Sequence, residues 1–241
     1  VYTATFTPDI ESAGSGSVSV LAGSYADASG NPGAAASLSL TFDTEAPTLT
    51  ITAAASALTS GETTLVTFTF SEAPAGFADV DISLSGGALS SVTVDSSNAK
   101  LYTATFTPDE DTTDTATIAV SAGSYSDGAG NAGGAAALSL SLDTTTPTVA
   151  VDVVSSSVKA GETSMVSFTF SETPRKFGKR DIWATSGALS GITQDSTNPL
   201  VYWAEFTPAA DATETVTIGI DDRAYRDAAG NWGTGDTITV S

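Results

Sequence analysis

Residues Leu101–Pro108, LYTATFTP, are the most informative segment of this 241-residue chain, because the phrase occurs three times in similar form. It appears as VYTATFTP at Val1–Pro8 and as VYWAEFTP at Val201–Pro208, at a constant offset of 100 residues. Its alternation of apolar and polar side chains is typical of a β-strand. A strand repeated at this period predicts a tandem array of all-β domains.

Other phrases recur with the same period and set the domain boundaries. LTFDTEAPT around Asp43 matches LSLDTTTPT around Asp143, and GSYSDGAGN ending at Asn131 has counterparts ending at Asn31 and Asn231. The expected units are residues 1–42, the C-terminal part of a repeat; residues 43–142, a complete repeat; and residues 143–241, a complete but divergent repeat.

The complete units read as strand after strand, with turns rich in Gly, Asp, Asn and Pro between them. In one strand Tyr102, Ala104 and Phe106 share the face expected to point inward. Seven strands in roughly 100 residues predict an immunoglobulin-like β-sandwich. Pro47 and Pro147 restrict the linkers, so we expect the sandwiches to form a rod. The expected strands A to G of the middle repeat are Thr48–Thr52, Leu65–Phe70, Ile82–Ser85, Leu89–Val94, Leu101–Thr107, Ala116–Ser121 and Ala136–Leu142.

The composition excludes several classes of function. The 8 Lys and Arg residues against 28 Asp and Glu residues give a formal net charge of −20, which repels nucleic acid and anionic lipid and favours hard divalent cations. The chain has no cysteine and no histidine, which removes disulfides, thiolate metal sites and the commonest general base. No apolar run is long enough for a membrane span. We therefore expect neither an enzyme nor a nucleic-acid-binding or membrane-inserted protein.

Acidic residues that recur with the repeat fall at the ends of the predicted sandwiches, where consecutive repeats meet. Gathered carboxylates repel one another unless a cation neutralises them, and Ca²⁺ takes six to eight oxygen ligands. Asp and Asn are also ordinary turn residues, so the Asp-x-x-Gly-Asn loops have a purely structural interpretation as well. The calcium hypothesis predicts ligands at the first junction from Asp43, Glu72, Asp81, Asp127, Asn131, Asp9 and Glu11, and at the second from Asp143, Glu172, Asp181, Asp227, Asn231, Asp109 and Asp111.

The set of repeated phrases resembles the bacterial Ig-like repeats of giant type I-secreted and biofilm-associated surface adhesins. The phrases that carry the resemblance are D-T-x-x-P-T, F-T-F-S-E-x-P, Y-T-A-T-F-T-P and Y-x-D-x-A-G-N, which together cover nearly the whole chain. The resemblance implies a secreted protein at the bacterial cell surface, in which such repeats form an extracellular stalk. It also implies stiffening by calcium between neighbouring repeats of one long chain, on the residues named above.

The third repeat departs from the pattern in its aromatic and cationic residues. All three tryptophans lie there, and so do seven of the eight Lys and Arg residues. By strand parity Trp183 and Trp203 are expected to point outward in place of Ser83 and Thr103. One interpretation is a contact surface for a host or biofilm glycan or protein; the other is packing of residues 175–180 against the acidic segment 108–114. The residues of the possible surface are Trp183, Trp203, Trp232, Arg175, Lys176, Arg180 and Arg226.

Two functions are therefore expected to compete: a stalk segment of a surface adhesin, and a ligand-binding module acting through the third repeat. Residues 1–42 supply only strands E, F and G of a sandwich, which would leave apolar faces and sheet edges open. We expect those faces to be covered by strand complementation, either from elsewhere in the protein or from another chain.

Overall fold

Short, alternating strands account for almost all of the regular structure in the computed structural model. It describes residues 1–159, 161–210 and 213–241. The strands are labelled β1 to β19 below, and two 3-10 turns are present at Asp79–Asp81 and Lys179–Asp181. In these described residues no helix has the length and apolar character needed to cross a membrane.

The chain divides into two compact units, which are described separately. The first unit comprises Val1–Ala54, Thr64–Phe106 and Thr117–Ser139. The second comprises Ala55–Thr63, Thr107–Ala116 and Leu140–Ser241.

Residues 1–42 contribute an antiparallel hairpin of β1 (Ala13–Val20) and β2 (Ala36–Asp43), the expected strands F and G. The phrase at 1–8, expected as strand E, forms no strand. A strand needs a neighbour for its backbone hydrogen bonds, and the part of the chain that the structure describes offers these residues none. Val18, Val20 and Leu38 of the hairpin stay open to solvent, the last with 59% exposure, whereas Leu40 and Phe42 are half-buried.

The middle repeat is a two-sheet sandwich. One sheet has the order β3-β5-β9-β7, with β8 also paired to β9, and the other has the order β4-β11-β10-β6. Strand β4 runs parallel to β11, and the other pairings described are antiparallel. The strands are β3 (Leu49–Ala53), β4 (Ala57–Thr59), β5 (Thr64–Phe70), β6 (Ile82–Ser85), β7 (Gly87–Leu89), β8 (Thr93–Val94), β9 (Leu101–Pro108), β10 (Thr113–Val120) and β11 (Ala136–Asp143).

The core of this repeat follows from the alternation along its strands. In β9, Ala104 and Phe106 are buried and Tyr102 is half-buried, so the predicted inward face is confirmed. Phe70 packs edge-on against Phe77 and Tyr125, with ring centroids 4.9 and 5.0 Å apart. Such aromatic contacts add to the free energy gained by burying apolar surface.

The third repeat is also a two-sheet sandwich, and in the described residues its second sheet has three strands where the middle repeat has four. One sheet has the order β12-β13-β17-β15, with β16 also paired to β17, and the other has the order β14-β18-β19. Its core includes the buried residues Phe168, Phe206 and Ile218. The expected all-β class with tandem sandwiches is confirmed. The strands are β12 (Val149–Val153), β13 (Ser164–Phe170), β14 (Ile182–Ala184), β15 (Ala188–Leu189), β16 (Thr193–Gln194), β17 (Val201–Thr207), β18 (Val216–Ile220) and β19 (Asp236–Val240).

Candidate functional site

The threonine of each D-T-x-x-P-T linker is hydrogen-bonded to the loop that precedes β1 or β10. We call the segments around Thr44 and Thr144 the first and second joints. Thr44 donates its hydroxyl to the carbonyl of Asp9 over 2.7 Å and accepts the N–H of Ser12 over 3.1 Å. Thr144, which is 3% exposed, repeats both bonds with Asp109 and Thr112 at 2.8 and 3.0 Å. The linkers are thus held by specific, repeated hydrogen bonds.

The proline of each linker is held from its other side by the following repeat. The Tyr125 hydroxyl donates to the carbonyl of Pro47 over 3.3 Å, and the Gly134 N–H donates to the same oxygen over 3.0 Å. Tyr225 makes the equivalent bond to Pro147 at 3.1 Å. Burial raises the pKa of both tyrosines, so each phenol keeps its proton and donates.

The F–G loop of the middle repeat is organised around the carboxylate of Asp127. Its Oδ1 accepts the N–H groups of Ala129, Gly130 and Asn131 at 2.9, 2.6 and 2.8 Å, and its Oδ2 accepts the Asn131 side-chain amide at 2.6 Å. Burial by itself would raise the pKa of Asp127, but these hydrogen bonds outweigh it, and the pKa is lowered. The structural interpretation of the Asp-x-x-Gly-Asn phrase therefore accounts for how the loop closes.

Three of the predicted ligands come together at the first joint. Carboxylate oxygens of Asp43, Glu72 and Asp127 all lie within 4.8 Å of one another. Asp43 ends β2, Glu72 follows β5, and Asp127 lies in the F–G loop, so three separate segments bring them together. Desolvation, followed by the charges of Asp127, Asp43 and Glu45, raises the pKa of Glu72 against the smaller opposing effect of Lys100. The neighbouring carboxylates therefore add to the desolvation that disfavours the ionised form of Glu72.

The other ligands predicted for the first joint have different contacts. The Asp81 carboxylate accepts the N–H of Ala78 at 2.8 Å, which closes the 3-10 turn. Asp81 is not part of the group formed by Asp43, Glu72 and Asp127. Asn131 donates its amide to the backbone carbonyl of Asp43 over 3.2 Å. Asp9 and Glu11 are exposed and also outside the group, and Asp9 reaches the joint through its backbone carbonyl.

The second joint has the corresponding acids of the first, but they are less closely grouped in the described residues. Desolvation raises the pKa of Glu172, and the charges of Asp227 and Asp143 raise it further. The three acids therefore interact electrostatically, as their counterparts do at the first joint. Asn231 donates to the Asp143 backbone carbonyl over 2.8 Å, and its Oδ1 accepts the Ser60 N–H over 2.7 Å. In the described residues, the carboxylate oxygens of these three acids do not all lie within 4.8 Å of one another.

The remaining residues predicted for the second joint lie apart from these acids. The Asp181 carboxylate accepts the N–H of Gly178 over 2.7 Å, as Asp81 does in its own turn. Asp109 and Asp111 are exposed, and Asp109 contacts the joint through its backbone carbonyl.

The donor set of the first joint fits a hard divalent cation. Three carboxylates supply the charged oxygen ligands that Ca²⁺ prefers, and carbonyl groups or water would complete its shell. Asp43, Glu72 and Asp127 are the residues that would hold the ion. At the second joint, Asp143 accepts hydrogen bonds from Thr113 and Asn231 at 3.2 and 3.4 Å, and among the described residues its carboxylate is not grouped as closely with those of Glu172 and Asp227.

Two of the three tryptophans have structural partners within their own repeat. Trp183 and Trp203 are half-buried, and their indole N–H groups donate to Asp221 and Asp195 at 2.8 and 3.1 Å. Trp183 also lies over Gly219, whose missing β-carbon would meet its ring at 3.1 Å. Hydrogen bonds from Thr197 and Trp203 lower the pKa of Asp195. Both tryptophans thus stabilise turns and sheet of the third repeat.

Trp232 and the cationic residues form the more exposed part of the predicted surface. Trp232 is 39% exposed, and the guanidinium carbon of Arg226 lies 3.6 Å from its ring centroid. Arg175, Lys176 and Arg180 are exposed. Lys179 donates to the carbonyls of Leu189 and Ser190 within its own repeat.

Sequence reasoning missed the uncharged residues of the joints, of which Thr44, Thr144, Tyr125 and Tyr225 are the most important. Their signal was present, because the D-T-x-x-P-T and Y-x-D phrases recur at each repeat. The charged residues of those phrases suggest metal ligands, whereas it is the hydroxyl groups that hold the linker backbone.

Taken together, the paired sheets, the duplicated linker contacts and the duplicated F–G loops define a protein of tandem immunoglobulin-like domains. The model of the bacterial Ig-like domain family matches residues 43–142 and again residues 143–241. The chain belongs to this family. No curated protein sequence matches it.

Several solved structures resemble the chain at low sequence identity. The Escherichia coli adhesin FdeC is 15% identical with a TM-score of 0.45, over 88% of this chain and 71% of that one. The Yersinia pseudotuberculosis adhesin InvE is 16% identical with a TM-score of 0.32, over 81% of this chain and 58% of that one. InvD from the same species is 21% identical with a TM-score of 0.28, over 81% and 57%. The chain therefore spans less than two thirds of each aligned Yersinia protein.

Proposed function

We propose that the chain is an extracellular stalk segment of a secreted bacterial surface adhesin. The observation that carries the proposal is the duplication of the linker contacts: Thr44 and Thr144 make the same hydrogen bonds 100 residues apart. A catalytic or recognition site has no need of identical contacts at every junction, whereas a segment that transmits force or sets distance does. Membership of the bacterial Ig-like family and the adhesins among the similar structures agree with this role.

The second part of the proposal is that Ca²⁺ binds at the first joint and restrains it. Asp43, Glu72 and Asp127 supply the carboxylates. The raised pKa of Glu72, caused first by desolvation and then by the charges of Asp127 and Asp43, supports the presence of negative charge that a cation would offset. A cation bound there would remove this repulsion and connect the linker to two loops of the middle repeat. The second joint relies more on hydrogen bonds, such as that from Ser60 to Asn231.

The partners of a stalk are the neighbouring repeats of the same long chain. The exposed apolar residues of the β1–β2 hairpin, among them Val18 and Leu38, would be covered by complementing strands from the protein itself or from a second chain. Amide hydrogen exchange of residues 1–42, compared at low and high protein concentration, would show whether a second chain covers this face.

Deletion in the producing bacterium tests the stalk role. A variant lacking residues 43–142 should remain displayed on intact cells, detected by antibody without permeabilisation. It should adhere less well, because the shortened stalk reaches less far from the cell. Replacing the deleted repeat with another immunoglobulin-like domain of similar length should restore adhesion. If the replacement fails while display is normal, the repeat itself binds a ligand and the stalk proposal is wrong.

A further inference from the structure

Three neighbouring cross-strand positions differ between the middle and third repeats. In the middle repeat, Ser126 bridges Ala75 on one side and Ala132 on the other. In the third repeat, Arg226 bridges Arg175 and Trp232 in the same pattern. Three small side chains have therefore been replaced by two guanidinium groups and an indole on an unchanged backbone frame. The frame does not require them, since the middle repeat forms it without them.

A cavity of about 590 Å³ lies beside this triplet, within the second compact unit. This volume is in the range typical of small-molecule sites. One wall is formed by Trp232 and Arg226 and another by the turn around Ser60 and Glu62. Asp222 also lines the cavity.

The positive and negative charges of the side chains that line the cavity cancel. Glu62 and Asp222 oppose Arg223 and Arg226, on a chain whose overall charge is −20. Glu62 accepts the N–H of Thr59 at 2.9 Å and Asp222 accepts that of Gly235 at 2.7 Å, which fixes both carboxylates in place. The cavity thus offers hydrogen-bond donors and acceptors without a net charge, which suits a neutral ligand with many hydroxyl groups.

Arg226 supplies hydrogen-bond donors to one wall of the cavity. Its Nε is buried and makes no hydrogen bond with the described residues. Because this Nε has almost no accessible surface, the donors that Arg226 can present to the cavity are the terminal N–H groups of its guanidinium. The guanidinium is held against the Trp232 ring, and the indole remains 39% exposed. An exposed indole beside polar groups suits the apolar C–H face of a pyranose ring.

We propose that this cavity, which we call the Trp232 pocket, binds a neutral saccharide. Trp232 provides the stacking surface, Arg226 donates to ring hydroxyls, and Glu62 and Asp222 accept from them. The assignment limits the possible surface of the third repeat to Arg226 and Trp232. Trp183 and Trp203 donate to Asp221 and Asp195, and Arg175, Lys176 and Arg180 do not line the cavity. It goes beyond the stalk role and does not depend on calcium.

The experiment uses the whole 241-residue chain on an array of neutral oligosaccharides of hexoses and N-acetylhexosamines, with uronate-containing and sulfated oligosaccharides as the acidic arm. The strongest neutral oligosaccharide is then titrated by calorimetry. W232A and R226S install the residues that the middle repeat carries, so both should fold, and thermal melts verify this. W203T and W183S are the matched controls, since they install middle-repeat residues at tryptophans outside the pocket.

The proposal predicts binding of neutral oligosaccharides that weakens about tenfold or more in W232A and in R226S, as expected for loss of a central aromatic or guanidinium contact. Affinity in W203T and W183S should stay within about twofold of the original chain, a small free-energy difference. Binding confined to acidic oligosaccharides, binding that survives W232A in a folded chain, or no saccharide binding at all would overturn the proposal.

Discussion

At Gly133 the aromatic ring of Tyr125 occupies the place where a side chain would begin. A β-carbon built on Gly133 would lie 2.2 Å from the Tyr125 ring, and the same close approach occurs between Gly233 and Tyr225 at 2.1 Å. The glycine lets each ring lie flat on the backbone, from where its hydroxyl reaches the linker proline. The final glycine of the G-N-x-G phrase is thus explained by packing.

We expect Gly133→Ala to destabilise the middle repeat by about 1–3 kcal/mol, because the added methyl group overlaps the Tyr125 ring. Gly134→Ala is the matched control, since a β-carbon there has no atom within 4 Å and the N–H donor to Pro47 is kept. Chemical denaturation of the two variants checks this. Equal stability of both variants would show that the tyrosine is not held by this contact.

The raised pKa of Glu72 predicts a pH effect in metal-free protein. Because the pKa is higher in the folded state than in the unfolded one, the folded state keeps this proton longer, and stability falls as pH rises through the interval between the two pKa values. Glu72→Gln cannot ionise and should escape this loss. In chelator, its melting temperature relative to the original chain should increase from pH 4 to pH 7, starting near the ordinary glutamate pKa of about 4.3.

Glu205→Gln, which removes an exposed acid from β17, is the control for this pH series. It should follow the original chain across the same range. If Glu72→Gln also follows the original chain, the acidic group of the first joint exerts no repulsion on the fold.

The sequence predicted the acids of the first joint better than it predicted their geometry. Recurrence with the repeat identified Asp43, Glu72 and Asp127 as neighbours, because strand order alone brings their segments to one end of the sandwich. The recurrence of acids could not distinguish these three from Asp81, which also recurs with the repeat but whose carboxylate accepts the N–H of Ala78. The 3-10 turn sets the orientation of the Asp81 side chain, and the sequence repeat does not reveal it.

At the scale of elements, the strands were predicted where apolar residues alternate and missed where pairing depends on distant neighbours. Strands β5, β9 and β11 lie within a residue of their predicted bounds. The single expected strand at 89–94 is two short strands, β7 and β8, which meet β9 at different positions. Strand β4 was not expected, because its three residues are defined by parallel pairing to β11.

The linkers are elements whose order rests on buried hydroxyl groups. We expect Thr144→Val to lower the free energy of unfolding by about 1–3 kcal/mol, because the N–H of Thr112 and the carbonyl of Asp109 lose their partner at a buried site. Thr148→Val is the control, since that threonine is exposed in the same linker. Thermal melts of the two variants, with amide exchange at Thr112, would detect the difference. Unchanged exchange at Thr112 in Thr144→Val would contradict it.

At the scale of the whole molecule, the two joints share their hydrogen bonds and differ in their acids. The first joint brings three carboxylates within 4.8 Å of one another, whereas the corresponding acids of the second joint do not come this close together in the described residues. We therefore expect calcium to act mainly on the first joint. Folding-linked binding at a concentration of about 100 times Kd would add about 2.7 kcal/mol. For a domain of about 100 residues this raises the melting temperature on the order of 10 °C.

The most direct test is a thermal melt of the chain in calcium and in chelator, with Glu72→Gln and Glu172→Gln measured alongside. The account predicts a calcium-dependent rise in the original chain, nearly complete loss of the rise in Glu72→Gln, and retention of most of it in Glu172→Gln. Melting temperatures of the original chain that are equal in calcium and chelator would contradict the proposed calcium site.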